Sequence, residues 1–193
     1  MSDLTITNGG ISTTPKRAGN SVSQNKYNII TVTPTVSTDA YTQDDLLFTS
    51  CEIPNAVLGE GGVSKLIHMY VLDTDDQAAA EADDVLYFFT QESTAFGTIN
   101  ETANISVANI KAAGINGFLL QDGDQAYSSN DLDNATITKV FSASGTNEPN
   151  DNLTYLKAAA GSTSVYCHAI LRSSTTPDYT NADALRLILH IEY

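Results

Sequence analysis

The C-terminal stretch LRLILHIEY, residues 185–193, alternates apolar and polar side chains with a period of two. Leu185, Leu187, Leu189, Ile191 and Tyr193 fall on one side, Arg186, His190 and Glu192 on the other. Successive strand residues point to opposite faces, so this is the pattern of a strand with one face buried and one wet. SVYCHAILR behaves likewise, with Val165, Cys167, Ala169 and Leu171 opposite Tyr166, His168, Ile170 and Arg172. Between them, SSTTPDYTNAD supplies the Pro, Asp and Asn of a connection between antiparallel strands. The expectation is that these two strands pair with each other.

The same reading places strands at roughly 28–33, 45–53, 64–73, 85–90, 115–121 and 135–143. Only ISVANIKAAG, residues 105–114, reads as a short helix, with Ser106 as its N-cap and Gly114 as its stop. Many short strands joined by polar turns imply two packed antiparallel sheets, an all-β sandwich of jelly-roll type, rather than a parallel α/β sheet. A chain of 193 residues can bury such a core without disulfide staples. Residues 1–27 read separately as an extended polar arm, because the first 26 offer only Leu4, Ile6, Ile11 and Val22 as aliphatic anchors and cannot bury enough surface to order themselves. Residues 28–193 form one sandwich domain, with no linker and no internal repeat dividing it.

Charge narrows the partners. Acids outnumber bases 23 to 9, a formal charge of −14, which repels phosphate backbones and anionic headgroups, so neither nucleic acid nor a membrane surface is expected. Residues 1–38 run against this trend: Lys16, Arg17 and Lys26 face Asp3 alone, +2, leaving −16 for the rest. An arm of that kind orders on another chain, and its three bases are the expected partner contacts. With no span-length apolar run and no signal-peptide pattern, synthesis in a cytoplasm is expected.

Signals for chemistry are few. VLDTDDQAAAEADDVLYFF, residues 71–89, sets acids between two apolar runs. Asp73, Asp75, Gln77, Glu81 and Asp84 fall at positions one, three, five, nine and twelve of an EF-hand ladder, but Ala78 occupies the glycine position and Asp84 replaces the bidentate glutamate. A solvated hairpin end is the favoured reading, with Asp73, Asp75 and Asp84 as calcium ligands of a different kind the alternative. Acids crowded into one polar connection do not resemble the facing pair of a glycosidase, one of which needs a raised pKa. Cys167 and His168 are adjacent in a strand and point to opposite faces, so they cannot work as nucleophile and base. Cys51, Cys167 and the three histidines read as packing or surface residues. Phosphate loops, nucleophile elbows, dinucleotide fingerprints and C-x-x-C pairs are missing from the sequence. Neither a cofactor nor an enzymatic activity is expected.

Two longer stretches carry a resemblance. AYTQDDLLFTSCEIPNAVLGEGGVSKLIHMYVLDTDDQAAAEADDVLYFF and SVYCHAILRSSTTPDYTNADALRLILHI resemble a family of small tailed-phage head decoration, or capsid cement, proteins. That family shows a Tyr-x-x-Gly-Asp start, a Gly-Gly turn, an apolar strand ending in Asp-x-Asp-x-Gln, and a closing aliphatic strand after a Thr/Pro/Tyr turn. The similarity spans residues 40–121 and 160–193, and its motifs are structural rather than catalytic. Where the family has Gly-Asp, this chain has Asp44-Asp45. The resemblance implies a virion structural protein that binds the major capsid protein on the outside of an assembled icosahedral head, as a small homo-oligomer, trimer before dimer. The rival is a glycan- or receptor-binding module of the virion surface or tail, acting through loops such as 122–134 or 145–152.

Overall fold

The computed structural model describes residues 6–8, 11–13, 27–75, 84–121, 129–131, 135–140, 154–174 and 176–193. Two antiparallel sheets pack face to face. The first is ordered β3 (Tyr27–Val32), β12 (Leu185–Glu192), β5 (Val63–Asp73), β9 (Thr136–Val140), β8 (Ser129–Asp131), with β10 (Thr154–Lys157) also pairing β5. The second is ordered β4 (Leu46–Ile53), β11 (Val165–Leu171), β6 (Val85–Thr90), β7 (Ile115–Gln121). A separate antiparallel pair, β1 (Ile6–Asn8) and β2 (Ile11–Thr13), precedes them.

Period-two patterning explains what lies between the sheets. Leu187 and Leu189 of β12 sit opposite Val71 and Met69 of β5, and all four join Phe48, Tyr87, Phe89 and Cys167 in one buried core. At roughly 25 cal/mol per Å² of apolar surface removed from water, such a core is the main force holding the sheets together. Helix α1 (Val107–Ala113) forms as expected: the Ser106 hydroxyl accepts the Asn109 N–H, and Gly114 turns left-handed at φ 63°.

The expected pairing of the last two long strands is overturned. β11 pairs with β4 and β6, whereas β12 pairs with β3 and β5 in the opposite sheet. Alternation specifies which side of a strand is buried, not which strand lies beside it. Residues 172–184 therefore cross between sheets. Nor is β11 half-wet: His168 and Ile170, the side opposite Cys167, are buried too.

That second burial comes from the connection between β6 and β7. Phe96 and Ala113 from this connection join Leu46, Phe88 and Ile170 in a smaller core on the outer side of the four-stranded sheet. A bulge opens β4 at this point. Cys51 faces Cys167 and Phe48 faces Ala169, so Thr49 and Ser50 together stand opposite His168, with Ser50 at φ 53°.

The Asp44-Asp45 departure is accommodated without glycine. Asp44 adopts the left-handed conformation at φ 70°, one that Asp tolerates better than most residues. Asp45 closes the turn by accepting the Thr42 N–H at 2.7 Å and its hydroxyl at 2.9 Å. Asp44 also pairs with Arg172.

Candidate functional site

The expected arm contacts Lys16, Arg17 and Lys26 lie outside the described residues. Of the acidic stretch, Asp73, Asp75 and Asp84 are described, and they do not turn toward a common point. Asp75 accepts the Thr180 hydroxyl at 2.8 Å and the Thr180 N–H, while its own N–H donates to Asp73 Oδ1 at 2.9 Å. Asp84 sits at φ 48° and its carbonyl accepts the Arg172 N–H. Among the described residues no group of three His, Cys, Asp or Glu side chains is arranged to hold a metal ion. Asp73 is 9 % exposed, so it belongs to the interior rather than to a solvated hairpin end.

Cys51 and Cys167 are register partners across β4 and β11, and both are free thiols. Burial, reinforced by the Glu52 carboxylate, pushes Cys51 up to about 12, and burial beside Cys51 pushes Cys167 well above the usual thiol range. Neither is a nucleophile at neutral pH, because the thiolate is the reactive form.

His168 is fully buried and stacks on Phe88, with ring centroids 4.8 Å apart and planes at 13°, while Phe96 meets its edge at 4.8 Å. Its Nδ1 accepts the bulge N–H of Ser50 at 3.0 Å, and Thr49 Oγ1 lies at 3.0 Å from the same atom. The ring proton therefore sits on Nε2 and is donated to Thr90 Oγ1 at 2.9 Å, whose own proton goes to the Glu92 carbonyl at 2.8 Å. Burial lowers its pKa to about 4. A neutral histidine with both nitrogens committed is a fixture of the bulge, with no path to a substrate.

A different surface stands out. Residues directly opposite one another across a sheet share a face, and the registers of the six-stranded sheet place Ile29, His190 and His68 in one outer row. Thr31, Ile188, Tyr70 and Lys139 form the next row, and Arg186, Leu72 and Ile137 the third. Beyond the bulge in this pairing, Tyr27, Glu192, Lys65 and Tyr155 continue the face. Tyr70 packs against His190 at 5.4 Å, and His68 meets His190 at 6.1 Å. Burial first, then Lys139 and His190, lowers the pKa of His68, so it carries little charge at neutral pH.

Two properties separate this face from the rest of the molecule. No described element covers it, whereas residues 91–114 cover the outside of the other sheet; Tyr27, Tyr155 and Ile29 are 65 %, 63 % and 62 % exposed. It also carries Lys65, Lys139, Lys157 and Arg186, four of the chain's nine bases, against Glu192 among its described side chains. The isolated features are legible in the sequence, since period-two alternation puts Arg186 and His190 on the outward side. Their union with Tyr27, Tyr70, Lys139 and Tyr155 depends on strand order, which period-two patterning does not supply.

Neither family models, curated proteins nor solved structures yield a match to this chain.

Proposed function

We propose that this protein is a non-enzymatic capsid decoration protein, attached to the exterior of an assembled phage head as a small homo-oligomer, a trimer before a dimer. Copies made in the host cytoplasm bind the major capsid protein and bridge adjacent subunits. The observation that carries this reading is the open outer face of the six-stranded sheet. A net-basic surface with exposed tyrosine and isoleucine, on a chain of charge −14, has the composition of a docking surface for an acidic protein partner. The polar segment with Lys16, Arg17 and Lys26 enters the domain at Tyr27, the edge of that same face, so arm and face would engage one partner together.

Strand order supports the jelly-roll part of the reading. Numbering β3, β4, β5, β6, β7, β9, β11 and β12 as eight successive strands gives sheets ordered 1-8-3-6 and 2-7-4-5, two interlocked Greek keys. Such sandwiches serve both virion and lectin roles, so architecture does not choose between them and the surface must.

The test is to mix purified protein with expanded heads lacking it and count bound copies after sedimentation. Saturation at a number set by icosahedral symmetry is expected, with occupancy reduced by deletion of residues 1–26 and by Lys139→Glu with Arg186→Glu. Absence of binding would overturn the reading. Binding unaffected by the charge reversals would overturn the assignment of the face.

A further inference from the structure

Two strands of the four-stranded sheet bring the chain's two cysteines face to face. Cys51 of β4 and Cys167 of β11 are register partners, so their side chains leave the sheet on the same side. That side is the inner one: Cys167 is fully buried in the main core, and Cys51, half-buried, packs against it. Residues directly opposed on antiparallel strands hold their Cα atoms about 4.5–5.5 Å apart, inside the span of about 4.4–6.8 Å that a disulfide bridges. Their Cβ atoms need to approach by no more than roughly 1 Å.

The neighbourhood favours that approach. Immediately beyond the pair, Thr49 and Ser50 bulge out of β4 opposite His168, and the Ser50 N–H is given to the His168 ring. β4 lies at the edge of its sheet with β11 as its one strand partner, so a break in the ladder at this point leaves it room to shift toward Cys167. Cys167 Sγ makes only a weak contact of its own, 3.8 Å from the His168 carbonyl oxygen. Among the described residues no third His, Cys, Asp or Glu joins the two thiols in a metal-holding group. The chemistry left to them is with each other.

We propose that Cys51 and Cys167 are a site of covalent closure, a cross-strand disulfide that forms when the folded protein meets a small-molecule disulfide such as oxidised glutathione. The Cys51 thiolate, on the more accessible sulfur, attacks one sulfur of glutathione disulfide; that S–S bond breaks, a mixed disulfide forms and one glutathione thiolate leaves. The Cys167 thiolate then attacks the Cys51 sulfur and expels the second glutathione. Two cysteine thiols are oxidised, one glutathione disulfide is reduced to two thiols, and the two cysteine protons end on the departing thiolates. Because burial keeps both cysteines protonated at neutral pH, closure is slow in the native state, and in a reducing cytoplasm the pair stays open. The closed bridge ties residue 51 to residue 167, a long loop for which chain entropy predicts a large stabilisation, and it fastens edge strand β4 beside its bulge. The site stands independently of the capsid reading.

The test equilibrates the full chain in glutathione buffers from reducing to oxidising, at about pH 8.5, near the ordinary thiol pKa. Equilibrium is approached by two routes: from native reduced protein, and from protein refolded out of urea in the oxidising buffer. Expected are loss of both thiols to maleimide labelling under denaturing conditions, a mass lower by two hydrogens, and a proteolytic peptide pair joined through Cys51 and Cys167. The bridged form should melt about 5–15 °C above the reduced form of the same chain. Cys51→Ala, at the half-buried position, should melt at the same temperature in both buffers. Glutathione adducts that persist on Cys51 in place of the bridge, dimers linked between chains, or thiols still free after both routes would overturn the proposal. So would a bridged form that melts no higher than the reduced one.

Discussion

Replacing His168 by glutamine tests how a fully buried base shapes the stability of the sandwich. In the folded chain the imidazole is neutral, with Nδ1 accepting from Ser50 and Nε2 donating to Thr90, and burial holds its pKa at about 4. In the unfolded chain it titrates near 6.5. Between these values the unfolded state binds one more proton than the folded state, so this residue makes stability fall as pH drops from about 6.5 to about 4. The effect is complete below the folded value and absent above the unfolded one. At 1.36 kcal/mol per pH unit per proton, the separation amounts to about 3 kcal/mol.

His168→Gln lowers stability at pH 7.5, because it disturbs the contacts of a bulge built around the ring, but it removes the titration. Urea unfolding measured at pH 7.5, 6.5, 5.5 and 4.5 should therefore show a gap between wild type and variant that narrows by about 1 kcal/mol for each pH unit below 6.5. Carboxylates titrating in the same range act in both proteins and cancel in the difference. A gap constant with pH would refute the argument, as would an NMR titration in which the His168 ring protonates near pH 6.5 in the folded protein.

Three further substitutions probe local claims. Tyr41→Phe removes a buried hydroxyl that donates to the Leu47 carbonyl at 3.0 Å and accepts the Ser37 N–H, and should cost about 1–3 kcal/mol in chemical denaturation. Gly62→Ala would set a Cβ at 2.7 Å from the Gly59 carbonyl oxygen and should destabilise by about 1–3 kcal/mol, whereas Gly59→Ala, with nothing within 4 Å, should be close to neutral by the same assay. Ser106→Ala removes the α1 N-cap and should cost about 1 kcal/mol, read as faster amide exchange across Val107–Ala113.

Which parts of this fold were readable from sequence follows from what each signal encodes. Strand positions came through because period-two alternation reports burial directly, and α1 came through because Ser106 and Gly114 mark both of its ends. The partners of β11 and β12 did not, since Cys167 facing Cys51 and Leu189 facing Met69 are choices made by the whole topology. β8 and β10, at three and four residues, are too short to show a period. Phe96 and Tyr179 were hidden for another reason: each is a lone aromatic in a polar connection, a pattern that reads as a turn until burial shows it to be a plug. By sequence Asp73 belongs to a wet hairpin end, yet pairing with Leu185 draws it inward. A lone aromatic in a turn of otherwise small polar residues is the clue the sequence holds to Tyr179.

Charge is segregated on the molecule, and this bears on how it would meet a partner. Lys65, Lys139, Lys157 and Arg186 share the open face, while Asp44, Asp73, Asp75, Asp84 and Asp183 gather near the end where β5 and β12 meet the crossing segment. On the proposed reading, an acidic partner would orient a molecule polarised in this way before contact, and such steering raises association rates by about 10- to 1,000-fold. The Debye length shortens from about 30 Å at 0.01 M salt to about 8 Å at 0.15 M, so the rate of binding to heads should drop by about tenfold or more across that range, with dissociation changing far less. Lys139→Glu with Arg186→Glu turns a net-positive face slightly negative and should flatten or invert that dependence. A wild-type rate insensitive to salt would mean that the basic face does not guide the encounter, leaving the apolar Tyr27, Ile29 and Tyr155 to account for attachment.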